Sequence, residues 1–99
     1  MATLFTEDAL FTDQTSGQFV GNAAITTFMN RMDAEMPSRG IKFTLDDCAG
    51  DETVGWSQWT CHLPGGSFPG WTLHKMRAGK FTLDSDYFDV VVARTLRAK

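Results

Sequence analysis

The stretch Trp56-Ser57-Gln58-Trp59-Thr60-Cys61-His62-Leu63, followed by Pro64-Gly65-Gly66 and then Ser67-Phe68-Pro69-Gly70-Trp71-Thr72-Leu73-His74-Lys75-Met76-Arg77, decides the fold. Aromatic and β-branched residues alternate with polar ones between glycine and proline clusters, so the spacing predicts two strands joined by a tight turn. The same signal extends outward. Ile41, Phe43 and Leu45 alternate with Lys42, Thr44 and Asp46 before it, and Lys80 to Asp89 continue the pattern after it. Cys48 to Glu52 read as a turn. Four consecutive antiparallel strands result.

The last hairpin admits two geometries. A two-residue turn at Ala78-Gly79 sets Thr72 opposite Ser85 and Trp71 opposite Asp86, which mixes aromatic and charged residues on one face. A three-residue loop with Gly79 in a left-handed bulge sets Thr72 opposite Asp84 and Trp71 opposite Ser85. The second is preferred because it sorts a polar face (Thr72, His74, Thr82, Asp84, Asp86, with Phe88) from an apolar one (Trp71, Leu73, Phe81, Leu83, Tyr87). The preceding strand is expected to continue this sorting, with Gln58, Thr60 and His62 on the polar side and Trp59, Cys61 and Leu63 on the apolar side. Hydrophobicity alone makes the apolar face the core and leaves the acids and histidines in solvent.

Upstream, Thr3 or Thr6 is expected to cap a short turn holding Glu7 and Asp8, with Ala9 to Thr12 as a short strand. Asp13 to Gly17 form a loop rich in turn residues, and Gln18 to Val20 a brief extended link. Gly21-Asn22 offers an N-cap for a helix over Ala23 to Met36, where Ile25, Phe28, Met29, Met32 and Met36 recur at steps of three and four. Pro37 and Gly40 are expected to stop it. The methionines read as adaptable core filler. At the other end Asp89 offers an N-cap for a helix over Val90 to Leu96, with Arg94, Arg97 and Lys99 at its negative end, while the triple valine also suits a strand.

Ninety-nine residues, 42% of them hydrophobic and 21% charged, suffice for one folded domain over 1–99 and no second core. A net charge of -3 without an internal basic cluster argues against phosphate recognition, so no nucleic-acid partner is expected. Neither a basic leader nor an apolar run of about 20 residues appears, so no membrane partner is expected and the chain reads as cytoplasmic. Cys48 and Cys61 lack a Cys-x-x-Cys spacing and are expected to remain thiols. His62 and His74 lack close ligand partners, so neither a metal nor any other cofactor is expected.

The run Phe5-Thr6-Glu7-Asp8-Ala9-Leu10-Phe11-Thr12-Asp13, the link Phe19-Val20-Gly21, the amphipathic helix and the closing Asp86-Tyr87-Phe88-Asp89 together resemble a SnoaL-like domain of the nuclear transport factor 2-like superfamily. The resemblance covers nearly the whole chain. It implies an α+β fold in which a cone-shaped, curved antiparallel sheet wraps around helices and a pocket opens at the wide end. The long N-terminal helix usual in the family has no counterpart, so the chain reads as truncated there.

Relatives include steroid isomerases, polyketide cyclases and limonene-epoxide hydrolases, so the fold leaves the activity open. Asp13 falls where steroid isomerases carry their proton-moving carboxylate, and Thr72 stands where they carry a companion acid. Asp86 falls where epoxide hydrolases orient water with an aspartate, and Gln58 and Thr60 stand where they carry an arginine and a second aspartate. Neither set is complete. The resemblance implies Asp13 and Asp86 as catalytic candidates, with Phe11, Phe28, Gln58, Thr60, Thr72, His74, Asp84 and Phe88 around a hydrophobic small molecule. It also turns Asp84, Asp86 and Phe88 into the cone and Trp59, Trp71, Leu73, Phe81 and Leu83 outward. Those outward residues then form a patch that a homodimer would cover by back-to-back sheet packing. The functional expectation is isomerase, cyclase or hydrolase acid-base chemistry on a hydrophobic ligand; the alternative is a non-catalytic ligand-binding or dimeric assembly module.

Overall fold

Phe5, Ala9 and Phe11 are buried while Glu7 and Asp8 between them are exposed, a pattern that an extended chain along a core satisfies. In the computed structural model, which describes residues 4–98, they form β1 (Phe5–Asp13). Thr6 therefore lies within a strand instead of capping a turn, and its hydroxyl donates to the Asp8 carboxylate at 2.8 Å. Thr3 lies outside the described residues.

β1 turns back into β2 (Gly17–Val20), and α1 (Asn22–Ser38) then carries the chain to the far edge of the sheet. From there β3 (Lys42–Gly50), β4 (Val54–Leu63), β5 (Gly66–Arg77) and β6 (Lys80–Phe88) return as an antiparallel meander, and α2 (Val90–Arg97) follows. The strand order is β2-β1-β6-β5-β4-β3, with β6 parallel to β1. This is the expected cone-shaped α+β fold: a curved, open sheet with two helices on its inner face.

Two cores anchor the helices. α1 packs Ile25 and Phe28 on Phe5, Ala9 and Phe11, and Met29 and Met32 flank them. Burying Ile25 and Phe28 stabilises the domain by about 1.5–3 kcal/mol each. The Phe19 and Phe28 rings stack at 4.4 Å. α2 sets Ala93 on Cys61 and Phe68, with Trp59, Leu63, Phe88 and Leu96 around them. Asp89 caps α2 as expected, its side chain accepting from the Val91 and Val92 amides.

The helix end and three strand registers depart from expectation. Pro37 lies inside the last turn of α1 and does not stop it, because the Met36 and Pro37 carbonyls still accept from Arg39, Gly40 and Ile41. Gly40, at φ 68, makes the exit. β3 runs on through Cys48 to Gly50, since a bulge between Leu45 and Asp47 re-registers it on β4. The turn is left to Asp51, whose Oδ1 accepts from the amides of Thr53 and Val54 and from the Thr53 hydroxyl.

The β5–β6 connection follows neither anticipated register, and the preferred pairing of Thr72 with Asp84 and Trp71 with Ser85 does not form. Ala78 and Gly79 form a two-residue turn at φ 51 and 78 that pairs Arg77 with Lys80. A bulge then follows at Thr82, between the Met76–Phe81 and Lys75–Leu83 pairs. Thr72 consequently faces Asp86, His74 faces Asp84 and Trp71 faces Tyr87. Phe81, on the turn side of the bulge, swings inward, with its ring 5.6 Å from those of both Phe5 and His74.

The sorting expected of β4 is reversed. Leu63 pairs with Gly66 across Pro64-Gly65, so odd-numbered residues of β4 pair with even-numbered residues of β5. Trp59 and Cys61 therefore share the inner face with Thr72 and His74, while Gln58, Thr60 and His62 face outward. The outer apolar stripe is Trp56, Trp71, Leu73, Leu83 and Tyr87, and neither Trp59 nor Phe81 belongs to it. Trp56, Trp71 and Tyr87 are each nearly half exposed.

Candidate functional site

Between the two helices the inner face of the sheet leaves a cavity of about 410 Å³. Its walls are mainly apolar: Met32 from α1, Phe43 and Leu45 from β3, Trp59 and Phe68 from the central hairpin, and Phe88 from β6. Three charged residues reach it. They are Asp13 at the end of β1, Asp86 on β6 and Arg97 at the end of α2.

The aromatic wall is held by mutual edge contacts. The Trp59 ring lies 5.5 Å from Phe43, 6.3 Å from Phe68 and 5.9 Å from Phe88. The indole N–H donates to Thr72 Oγ1 at 2.8 Å, and the Thr72 hydroxyl donates to Asp86 Oδ1 at 2.7 Å. A single relay of donors thus orients the carboxylate from the apolar wall.

Asp13 is held differently. Its Oδ1 accepts the Thr15 amide at 2.9 Å, the Thr15 hydroxyl at 2.8 Å and the Ser16 amide at 3.0 Å. All three donors fall on one oxygen, and the other oxygen carries none of them. Arg97 Nη1 donates to the same Thr15 hydroxyl at 3.3 Å, tying α2 to the β1–β2 turn beside the cavity. The turn is fastened from the sheet side too, where Gln14 Nε2 donates to the Asp86 carbonyl at 3.0 Å.

Burial shapes the acid chemistry of β6. Asp84 and Asp86 project from the same face two residues apart, both mostly shielded from water. Desolvation, the neighbouring Asp86 charge and a hydrogen bond to it push the Asp84 carboxyl up to about 8. Desolvation also raises Asp86, and the Asp13 charge adds to it, against the opposing hydrogen bonds from Thr72 and Asp84. Around neutral pH the pair therefore holds a proton that ordinary aspartates have lost.

The model of the SnoaL-like domain family matches residues 1–83. The chain belongs to the SnoaL-like domain family.

Solved structures agree with the SnoaL-like fold. TerC, co-crystallised with polyporic acid, is 17% identical, with 98% of this chain and 82% of that one covered at a TM-score of 0.76. A candidate SnoaL-like polyketide cyclase from Shewanella putrefaciens CN-32 is 17% identical, with 98% and 72% covered at 0.75. A ketosteroid isomerase-like fold from Catenulispora acidiphila DSM 44928, in complex with trimethylamine, is 23% identical, with 90% and 72% covered at 0.72. A comparison with curated protein sequences finds no match.

In this SnoaL-like domain the anticipated residues divide into three groups. Asp13, Asp86 and Phe88 line the cavity, and Thr72 stands behind Asp86 as its donor. His74 and Asp84 lie further along the inner face, beyond the cavity wall. Phe11, Phe28, Gln58 and Thr60 do not reach the cavity. Phe11 and Phe28 are spent on packing α1 against β1. The odd-to-even register turns Gln58 and Thr60 to the outer face, where Thr60 donates to Asp46.

Trp59, Phe68, Phe43, Leu45, Met32 and Arg97 line the cavity without having been anticipated there. One signal for Trp59 was present: Gly70 within an otherwise bulky strand marks a close approach. The Trp59 indole occupies the space that a Cβ at position 70 would fill.

Proposed function

We propose that this SnoaL-like domain binds a hydrophobic small molecule in the cavity and moves protons on it, with chemistry of the isomerase, cyclase or hydrolase type. The observation that carries this reading is that Asp13 and Asp86, from two different strands, line one apolar cavity. Exclusion of water by Trp59, Phe68 and Phe88 would strengthen each polar contact inside. Asp13, through the oxygen free of the turn's three donors, is the base that takes a proton from carbon. Asp86, supplied by the Asp84 proton and oriented by Thr72, is the group that returns one to the ligand or holds a water. The co-crystallisation of TerC with polyporic acid supports a small-molecule ligand in a fold of this kind.

A second reading, an assembly module, is favoured by the outer stripe of Trp56, Trp71, Leu73, Leu83 and Tyr87. A homodimer packed back to back would cover it, and this arrangement is compatible with a working cavity on the other face. The same account puts the domain in the cytoplasm, where Cys48 and Cys61, both free, stay reduced.

Ligand binding is tested by fluorescence. With Trp56 and Trp71 replaced by Phe, the remaining indole is Trp59, and titration with a panel of polycyclic ketones should quench it saturably. Quenching that never saturates across the panel would contradict the binding reading.

A further inference from the structure

The relay from Trp59 through Thr72 ends on Asp86 and leaves two partly buried ionisable groups without a role. His74 and Asp84 face each other across β5 and β6 on the inner face of the sheet. His74 Nδ1 and Asp84 Oδ1 are each buried without a hydrogen-bond partner. Orphaned buried atoms are rare because each costs the full loss of its hydration, and two on facing residues call for a common explanation. Directly opposed side chains on one face of a sheet have Cβ atoms about 5 Å apart, so modest side-chain rotation brings such atoms together.

The other side of the histidine opens outward. Its Nε2 lies 3.4 Å from Ser57 Oγ, and the ring lines a second, separate cavity of about 260 Å³ with Cys48, Ala49, Gly50 and Asp51. The ring sits over Gly55, where a Cβ would come within 2.7 Å of His74 Cε1. Glycine at that point leaves room for the imidazole. Asp86 borders the main cavity, Asp84 stands two residues along the strand, and His74 borders the second cavity. The three stand in sequence along the inner face, with Thr72 and Ser57 beside them.

We propose that Asp84 is the proton store of the site, sharing one proton with Asp86 and refilled through His74 from the second cavity. The proposal rests on the acid-base reading of the main cavity and names the proton supply it needs. Delivery balances in four proton transfers. The Asp86 O–H bond breaks as the ligand gains its proton, and Asp84 then gives its proton to Asp86 and becomes a carboxylate. Solvent at the second cavity protonates the neutral His74 ring on Nε2, and the Nδ1–H of the resulting imidazolium restores the Asp84 proton and leaves the ring neutral again. No electron changes hands. The raised affinity of Asp84 for its proton supports a store that stays filled at neutral pH. The ionisable groups around the path are Asp13 on β1, Asp84 and Asp86 on β6, His74 on β5, Arg97 at the cavity, and Cys48 and Asp51 at the outer opening.

The test is heteronuclear NMR of the whole chain, with the Asp carboxyl ¹³C and His ring ¹⁵N shifts followed from pH 4 to 10. The wild type should show one carboxyl of the Asp84–Asp86 pair titrating near 8, with the same step visible in the other carboxyl and in the His74 ring. Asp84→Asn should erase that step from His74 and leave Asp86 with a single titration. Asp86→Asn should lower the Asp84 titration by about one pH unit or more. Independent ionisation of both carboxyls below pH ~5 in the wild type, or a His74 ring indifferent to Asp84→Asn, would overturn the proposal. The wild-type titration decides the shared proton even where a variant fails to fold. It also needs no substrate, so a domain that shares the proton but transfers none to any ligand would refute the functional reading alone.

Discussion

The indole of Trp59 rests on Gly70, so close that a Cβ at position 70 would lie 2.2 Å from the ring. The glycine lets this tryptophan of β4 lie along the sheet and form the cavity wall, with its N–H within reach of Thr72. Replacing it with alanine forces the ring away. Gly70→Ala is expected to destabilise the domain by about 1–3 kcal/mol through overpacking and to break the Trp59–Thr72–Asp86 relay. Urea denaturation measures the first effect. A shift in the emission of Trp59, read in the background without Trp56 and Trp71, measures the second.

Asp84 makes stability depend on pH in an unusual direction. Its carboxyl is raised in the folded state to about 8 from an ordinary value of 3.8, so the folded protein holds a proton that the unfolded chain releases. Stability is then greatest below the ordinary aspartate range and is lost as pH rises through 8. The loss should be on the order of a few kcal/mol. Asp84→Asn removes the group that must ionise, so the variant should melt higher than wild type at pH 9 and by a clearly smaller margin at pH 5. Thermal scans at the two pH values check both the sign and the difference.

The β3–β6 meander, α1 and the Asp89 cap are legible in the sequence because alternation, period and capping chemistry are local signals, whereas the first half of β1 reads as a turn and the helix after Asp89 is favoured over a strand only through the family resemblance. The faces are less so. One residue more or less in a turn exchanges them, and the link from Leu63 to Gly66 put Trp59 inside with the acids and Gln58 and Thr60 outside. Bulges at Thr82 and between Leu45 and Asp47 carry no compositional mark, which hid the inward turn of Phe81 and the length of β3. Hydrophobicity places Asp84 and Asp86 in solvent; their inward direction was legible only through the family resemblance. Arg97 was hidden because its approach to Thr15 joins positions 82 residues apart.

The outer stripe gives the dimer proposal its test. Trp71 stands opposite Tyr87 on the outer face, with the Trp56 ring 6.2 Å from that of Tyr87. Trp71→Glu would place an unpaired charge in a sheet-to-sheet contact, and sedimentation should show a dimer become a monomer that keeps its fold. A wild type that sediments as a monomer at tens of micromolar would contradict the back-to-back arrangement.

The central claim is that Asp13 and Asp86 act together on one ligand in the cavity. Solvent exchange tests it most directly: polycyclic ketones with enolisable C–H bonds are incubated with the protein in D₂O, and deuterium uptake at carbon is followed by NMR. The account predicts uptake well above the uncatalysed rate for at least one such ketone. It also predicts a loss of about 10²-fold or more in each of Asp13→Asn and Asp86→Asn, both still folded by their amide spectra. Uptake that is absent throughout the panel, or that persists unchanged in both variants, would contradict it.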